Sequence, residues 1–301
     1  MPEFIFQEEY SQLINEMNIR EPKVELSEID EIWKEILDIN EHKVLFADSK
    51  TPISELSRLY IIEYYYLAMA VGDDTSNEVQ FILKSLLIGI ANTALCIYKN
   101  LFDGFKYQSK VLLRNLYEQG LVFLNVLLDK EKRTALLSAS SRKTEYEVWR
   151  KYFKPKKMHR TIADFEKKLG KEWSNDWHMR LYGDLSSYAH NDFLSLLVTS
   201  YFVPEDEDEE MKINICGCFA DRVDNTLDQL NGILFFVGMN FLKIISSEHS
   251  DVTKEMICID IKDESNNKDF WNKATFLEFL NRKCFLKMFL ESHASEDAID
   301  T

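Results

Sequence analysis

Apolar residues recur every three or four positions along most of this chain, and this spacing constrains the fold more than any other feature of the sequence. It is clear in residues 26–39, 53–71, 77–102 and 105–129. A repeat near 3.6 residues places such side chains on one face of an α-helix. The chain also has only 9 glycines and 5 prolines, which disfavours a sheet built on tight hairpins. We therefore predict an all-α fold, a multi-helix bundle.

One strongly acidic segment interrupts the helical pattern. Residues 204–212, PEDEDEEMK, contain six successive acidic side chains, which repel one another on a helix face. Segments rich in β-branched and aromatic residues lie on both sides of it, at 196–203 and 212–219. Such residues favour strands. We therefore predict at most a short β-hairpin around the acidic loop 204–212.

The pattern of helices and linkers suggests three regions. Residues 1–75 are expected to form an N-terminal helical segment packed on the bundle, and residues 76–250 its core, which includes a basic insert at 130–171. Residues 251–301 hold a polar linker, a last helix and an acidic tail. The longest apolar run, 232–245, has 14 residues, fewer than the roughly 18 to 20 that cross a bilayer. We therefore predict no contact with a membrane.

The basic insert stands out because the chain as a whole carries a net charge of −15. Residues 130–171 hold 14 basic and 5 acidic side chains, a local balance of +9. Local fields rather than total charge decide where an anion binds. The insert is therefore the predicted contact region for RNA or for a protein partner. The candidate nucleic-acid contacts are Arg142, Lys143, Arg150, Lys151, Lys154, Lys156, Lys157 and Arg160.

Two helices are predicted within the insert. The first covers residues 141–153 and is expected to stop before Pro155, because the residue before a proline disfavours helical geometry. The second is expected to begin at Thr161, which with Asp164 resembles a capping box. Aromatic residues recur in the first helix at the three- and four-residue spacing of a buried face, so we expect them in the core rather than as base-stacking platforms. They are Tyr146, Trp149 and Phe153.

A polar stripe runs through the segment RLYGDLSSYAHNDF. His178, Tyr182, Ser186 and His190 follow one another at intervals of four, which places them on one side of a helix. His190 would lie at the carboxyl end of that helix, where the helix dipole stabilises imidazolium, raises its pKa and suits it to act as a general acid. The alternative is structural, because histidines in bundle cores commonly do no more than satisfy hydrogen bonds.

A second polar stripe lies in the helix predicted at 105–129. Arg114 and Glu118 are four residues apart, so they can pair with each other, or Glu118 can orient a histidine on a facing helix. Burying such groups without partners costs several kcal/mol. We therefore expect the two stripes to face each other and to form one polar pocket.

Several classes of site have no motif in this sequence. It contains no phosphate loop, no dinucleotide fingerprint, no His-Glu-x-x-His and no nucleophile elbow, so we predict neither a cofactor nor a metal. Cys216 and Cys218 are one residue too close for a Cys-x-x-Cys site. An odd total of 5 cysteines favours reduced thiols and a cytoplasmic location. The first ten residues lack the basic flank and apolar core of a signal peptide.

The two polar stripes together resemble a widespread bacterial all-helical domain family of unknown function. Its members carry an Arg-x-x-x-Glu helix followed by a Ser-x-x-x-His helix, as residues 112–129 and 180–192 do here. The resemblance covers about residues 85–200. The polar positions that it implies are Arg114, Glu118, Ser186 and His190.

That family is similar in turn to the HEPN class, helical bundles of toxin–antitoxin and antiviral systems. Many of those proteins are metal-independent ribonucleases with an Arg-x(4–6)-His motif, and they usually pair into dimers that share a cleft. This chain departs from the motif, because Arg180 lies ten residues before His190 and Arg114 has no histidine at the required offset. The resemblance implies a homo-oligomer.

Two functions are compatible with these features. The first is a helical binding or effector-regulating protein of a bacterial antiviral or toxin–antitoxin system, whose polar pocket holds a small ligand or a partner segment. The alternative is a HEPN-like metal-independent endoribonuclease, in which His190 acts as acid or base and Arg114 steadies the phosphate. Tyr182 or Ser186 would then position the phosphate. We favour the binding protein, because this chain does not have the arginine-to-histidine spacing of the ribonuclease motif.

Overall fold

The structure is a computed structural model of the 301-residue chain. It describes residues 52–72, 77–139, 141–169, 175–189, 201–202, 212–213, 223–246 and 270–285. The helix predicted at 26–39, most of the acidic loop, the polar linker after 250 and the acidic tail lie outside the described residues, as does His190.

Helices make up nearly all of the described residues, and the predicted all-α multi-helix bundle is confirmed. In the part of the chain that the structure describes, they are α1 Pro52–Ala70, α2 Glu78–Phe102, α3 Lys106–Leu128, α4 Lys130–Leu137, α5 Arg142–Tyr152, α6 Pro155–Lys168, α7 Asn175–Ala189, α8 Val223–Ile245 and α9, residues 270–285. Asn77 caps α2, because its Oδ1 accepts hydrogen bonds from the amides of Val79 and Gln80.

Helix α3 lies at the centre of the bundle. It packs against α2, α4, α6, α7 and α8. All of residues 121–127 are buried, and the one polar side chain among them, Asn125, donates hydrogen bonds from Nδ2 to the carbonyl oxygens of Leu121 and Met158. Neighbours cover this half of α3 on every side, which explains why its sequence is apolar almost throughout rather than on one stripe.

Two buried tyrosines of α1 form hydrogen bonds to helices α8 and α9. Tyr60 donates a hydrogen bond to Oδ1 of Asn281 in α9 at 2.9 Å, and Tyr64 donates to the carbonyl oxygen of Leu234 in α8 at 2.8 Å. Both rings are almost fully buried. Each hydroxyl therefore has the partner that a buried polar group requires, and α1 is an integral part of the core.

Helices α3 and α8 approach each other closely at Gly120. A Cβ atom at this position would lie 2.4 Å from Cγ2 of Val237. The contact is possible only because Gly120 has no side chain, so one residue sets how close the two buried helices can come.

The short hairpin predicted around the acidic loop is present. β1 (Tyr201–Phe202) and β2 (Lys212–Ile213) pair antiparallel, with Tyr201 opposite Ile213 and Phe202 opposite Lys212. The residues between the two strands lie outside the described part of the chain.

The basic insert folds as α4, α5 and α6, and one predicted boundary within it is wrong. Helix α6 begins at Pro155 rather than at Thr161, with Lys154 as its N-cap. Proline suits the first helical position because its missing amide hydrogen would have no intrahelical partner there. Pro155 therefore starts a helix as well as following one. Thr161 lies inside α6 and accepts a hydrogen bond from Lys132 of α4 at 2.5 Å.

Two helices in the described part of the chain, α2 and α3, have the length and apolar composition of membrane-spanning helices. Both pack against other helices of the bundle. Core helices of soluble proteins meet the same criteria, so this is weak support for a membrane segment. The absence of a membrane contact stays a prediction.

Candidate functional site

The two polar stripes lie on helices that contact each other. Arg114 of α3 donates a hydrogen bond from Nη2 to the hydroxyl oxygen of Tyr182 in α7 at 3.2 Å, and its guanidinium lies 5.2 Å from the centre of the Tyr182 ring. Arg114 also pairs with Glu118 on its own helix, Nε to Oε1 at 3.2 Å. Leu181 and Leu185 are buried and seat α7 against its neighbours. The facing of the two helices that the sequence predicts is therefore present.

A third helix, α6, contributes His159 to the same place. Its Nε2 lies 3.4 Å from the hydroxyl oxygen of Tyr117, and its ring packs edge-on against the rings of Tyr117 and Tyr182, with centroid distances of 5.6 and 5.9 Å. We call Arg114, Tyr117, Glu118, His159 and Tyr182 the polar cluster. The sequence reasoning missed His159, because it follows no polar stripe and shares no motif with the other members.

Burial sets the protonation states of the polar cluster. It lowers the pKa of His159 to about 4, so the imidazole is neutral at pH 7. It also raises the pKa of Tyr117, an effect to which the neighbouring Tyr182 and Glu166 add. A neutral imidazole and a protonated phenol can share one hydrogen bond without a charge. The positive charge of the cluster is therefore that of Arg114, and Glu118 balances it.

The other predicted site residues stand as follows. Ser186 donates its hydroxyl hydrogen to the carbonyl oxygen of Tyr182 at 2.5 Å, within its own helix. His190 lies outside the described residues, and the structure does not describe the side chain of His178. The cluster thus brings together Arg114, Glu118 and Tyr182, with Ser186 one helical turn further along α7. Catalytic roles for these residues stay predictions.

Lys110 is a second residue that the sequence reasoning missed. It lies one turn before Arg114 on α3, is buried, and donates hydrogen bonds from Nζ to the side-chain oxygens of Gln229 and Asn225 in α8. Burial lowers its pKa to about 8; Lys106 adds to this effect and Asp184 opposes it. The signal in the sequence was a lysine one helical turn before the arginine of the polar stripe.

All eight of the predicted nucleic-acid contacts are exposed. Two other cations of the basic insert are not: Lys132 is buried with Nζ 2.5 Å from Oδ1 of Asn125, and Arg133 is buried and donates to the carbonyl oxygen of Val126 at 2.9 Å. Burial lowers the pKa of Lys132, an effect that Asp129 opposes. These two cations hold α4 in place and are not available to a ligand, so only part of the insert's charge faces solvent.

Most of the exposed cations have no acidic partner in the part of the chain that the structure describes. Lys151 lies 3.9 Å from Glu131, and Arg160 lies 3.9 Å from Asp164. The other six form no ion pair with any residue that the structure describes. They are Arg142, Lys143, Arg150, Lys154, Lys156 and Lys157. We call the eight exposed cations of α5, α6 and the residues between them the basic face.

The prediction that Tyr146, Trp149 and Phe153 lie in the core is wrong for two of the three. Phe153 is buried, as predicted, but Tyr146 is 65% exposed and Trp149 is 38% exposed. Among the described helices α5 packs against α4, and none of its own residues is buried, whereas Phe153 lies just beyond its end. Helical spacing therefore identified an apolar face, but the bundle does not cover it.

The exposed aromatic face of α5 forms one wall of a groove of about 630 Å³. The stacked rings of Trp149 and Phe153, 6.2 Å apart, lie along it. The groove is lined by Leu136, Ala139, Arg142, Glu145, Tyr146, Trp149 and Phe153. We call it the α4–α5 groove. It adjoins the basic face and is separate from the polar cluster in its lining residues.

Comparison of the chain with protein-family models, with curated proteins and with solved structures gave no match. Within the ranges that the structure describes, no three histidine, cysteine or acidic side chains are grouped so that they could hold a metal ion. The resemblance to the bacterial helical family and to the HEPN class stays a prediction. The function is therefore proposed from the contacts, burial and charges of the described residues.

Proposed function

We propose that this protein is a helical binding module that binds RNA through the basic face. Its role as an effector-regulating protein of a bacterial antiviral or toxin–antitoxin system, its cytoplasmic location and its assembly into homo-oligomers belong to the same proposal. The observation that carries the proposal is the group of exposed cations on α5, on α6 and between them that have no acidic partner among the described residues.

The charge of these cations has a simpler alternative explanation, which can be checked against the acidic side chains that the structure describes. Because the rest of the chain is acidic, the cations could serve only to neutralise it. That role predicts ion pairs with the acidic side chains, yet six of the eight cations form none with the described residues. Unpaired surface cations are the groups that release counterions from a phosphate backbone when they bind it.

A salt titration tests the proposal. The affinity for single-stranded RNA, measured by fluorescence anisotropy, should fall steeply with added salt, because each phosphate contact contributes about 0.7 to the slope of log K against log salt. Lys143→Gln and Arg150→Gln should each lower affinity and reduce the slope by about that amount. The matched control is Lys99→Gln, which removes an exposed lysine from α2. Equal slopes for all three variants and the wild type would contradict the proposal.

A second candidate function is a metal-independent endoribonuclease. The contact between Arg114 and Tyr182 favours it, because it places a cation beside a phenol on the helix that leads to His190 in the sequence. Arg114 would steady the phosphate, His190 would act as acid or base, and Tyr182 or Ser186 would position the phosphate.

Incubation with total RNA in EDTA distinguishes the two functions. A binding module leaves the RNA intact, and His190→Ala does not change its affinity. A ribonuclease cleaves the RNA without metal, and His190→Ala abolishes cleavage while binding persists. Cleavage that is equal in the wild type and in His190→Ala would assign the activity to a contaminant and leave the binding module in place.

A further inference from the structure

Two aromatic side chains are exposed on α5, beside cations of the basic face. Tyr146 and Trp149 line the α4–α5 groove, and neither is needed to fill the core, since no residue of α5 is buried. A scattered exposed aromatic residue is ordinary, but two on one wall of a groove form a continuous apolar surface. The volume of the groove, about 630 Å³, falls within the range of small-ligand sites.

Cations flank this aromatic surface on one side. Arg142, Tyr146 and Arg150 are four residues apart and therefore lie along one line of the helix, and Lys143 lies three residues before Tyr146. None of these three cations has an ion-pair partner among the described residues. An anionic occupant that stacks on Tyr146 would thus lie beside three cations of the same helix.

The groove also contains one acceptor. Glu145 is part of the lining and carries the only negative charge among the groove-lining residues that the structure describes. A carboxylate at this position accepts hydrogen bonds from amino groups, such as the exocyclic amines of nucleobases. The occupant that matches an aromatic wall, flanking cations and one acceptor is a planar, amine-bearing ring attached to phosphates.

We infer that the α4–α5 groove binds an unpaired base of an RNA strand, which stacks on Trp149 and Tyr146 while Arg142, Lys143 and Arg150 contact the adjoining phosphates. The inference rests on the proposed RNA binding and adds a preference for single strands. In a duplex the base faces are covered by their neighbours, whereas unpaired bases stack readily on aromatic side chains. A basic face without the groove would bind both forms of RNA.

The test compares three RNA ligands on the full-length protein. One is a single strand of about 12 nucleotides, a length typical of such sites. The second is the same strand with abasic central positions, which keeps the phosphates and removes the bases. The third is the corresponding duplex. The variants are Trp149→Ala, Tyr146→Ala and the conservative Trp149→Phe. Phe81→Ala, a side chain of α2 that is 63% exposed, is the matched control for the loss of an exposed ring.

The wild type should bind the intact strand on the order of 10-fold more tightly than the abasic strand. Trp149→Ala and Tyr146→Ala should each remove most of this difference, and Trp149→Phe should retain it. Phe81→Ala should behave as the wild type. Quenching of protein fluorescence by the intact strand should shrink in Trp149→Phe, because the stacked indole is then absent. Circular dichroism of each variant checks that it is folded.

Equal affinity of the wild type for the intact and abasic strands would overturn the inference. If Lys143→Gln and Arg150→Gln still weakened binding, the RNA-binding proposal would stand without the groove. If no RNA bound at low salt, the RNA-binding proposal and the inference about the groove would both fail. If Trp149→Ala converted an oligomer to a monomer without any effect on RNA binding, the groove would instead be a contact between copies of this chain, and the inference would again be wrong.

Discussion

The guanidinium of Arg114 on α3 both donates a hydrogen bond to Tyr182 on α7 and lies over the ring of that tyrosine, 5.2 Å from its centre. The same guanidinium pairs with Glu118 one turn along α3. One side chain therefore satisfies a carboxylate and a phenol that would otherwise be poorly solvated between two helices. The contact explains why the two polar stripes of the sequence belong to facing helices, whatever chemistry they support.

Tyr182→Phe should weaken the contact between α3 and α7 without removing the ring. The variant loses the hydroxyl that accepts from Arg114, and we expect a loss of about 1 kcal/mol in the free energy of unfolding, measured with urea. Tyr146→Phe is the matched control, because that hydroxyl is exposed and has no hydrogen-bond partner among the described residues. Equal stability of the two variants would show that the bond to Arg114 adds nothing measurable.

His159 should make the protein less stable in mild acid. Burial lowers its pKa in the folded protein to about 4, whereas the unfolded chain protonates it near its ordinary value of 6.5. As the pH falls from about 6.5 to about 4, the unfolded state therefore gains a proton that the folded state resists. We expect a loss of roughly 2 kcal/mol over this window, after allowance for the partial exposure of the ring.

The variant His159→Gln separates this effect from the titration of carboxylates. It cannot ionise, so its stability should depend less steeply on pH over the same window, although its stability at pH 7 is lower because the ring contacts are lost. Urea unfolding at several pH values measures both slopes. Parallel slopes in the variant and the wild type would rule out His159 as the source.

Gly120→Ala should destabilise the bundle although alanine favours helices. The added Cβ would meet Val237 at 2.4 Å, and we expect a net loss of about 1–2 kcal/mol once the gain in helix propensity is included. Gly183→Ala is the control, because nothing in the described structure lies within 4 Å of its Cβ position. That variant should gain about 0.5–1 kcal/mol from helix propensity alone. Val237→Ala should partly rescue Gly120→Ala, since it removes the methyl group that clashes.

Phe153 and Tyr146 should differ sharply in their contribution to stability. Phe153→Ala removes a fully buried ring and should lower the free energy of unfolding by about 3–4 kcal/mol. Tyr146→Ala removes a largely exposed ring and should change it by about 0.5 kcal/mol or less. Thermal or urea denaturation measures both. A large loss in Tyr146→Ala would mean that its ring is covered in solution.

The sequence predicts the helices well because its apolar spacing is a local property. The short hairpin around the acidic loop follows from the residue types of the two flanking segments, and its strand pair is present. Thr161 shows the limit of this approach. Its spacing to Asp164 resembles a capping box, yet a proline six residues earlier starts the same helix. Each pattern is a local signal for a helix start, and the sequence alone does not show which one sets it.

Burial is less predictable from sequence, because it depends on which elements happen to cover a face. Tyr146 and Trp149 have the spacing of core residues, but the described helices that pack on α5 do not enclose them. Lys132 and Arg133 have the character of surface cations, but they lie under α6 and beside α3. His159 joins Tyr117 and Tyr182 only through the packing of three helices. No pattern within one segment encodes these outcomes.

Helix α5 contributes no buried side chain, so the residues that would contact a ligand and the residues that hold the bundle together are almost entirely different sets. Substitutions along α5 can therefore accumulate without unfolding the protein. Natural variation could retune which sequences or partners this surface prefers while the nine-helix scaffold of the described chain stays constant. Recognition and folding would then evolve independently within a single polypeptide.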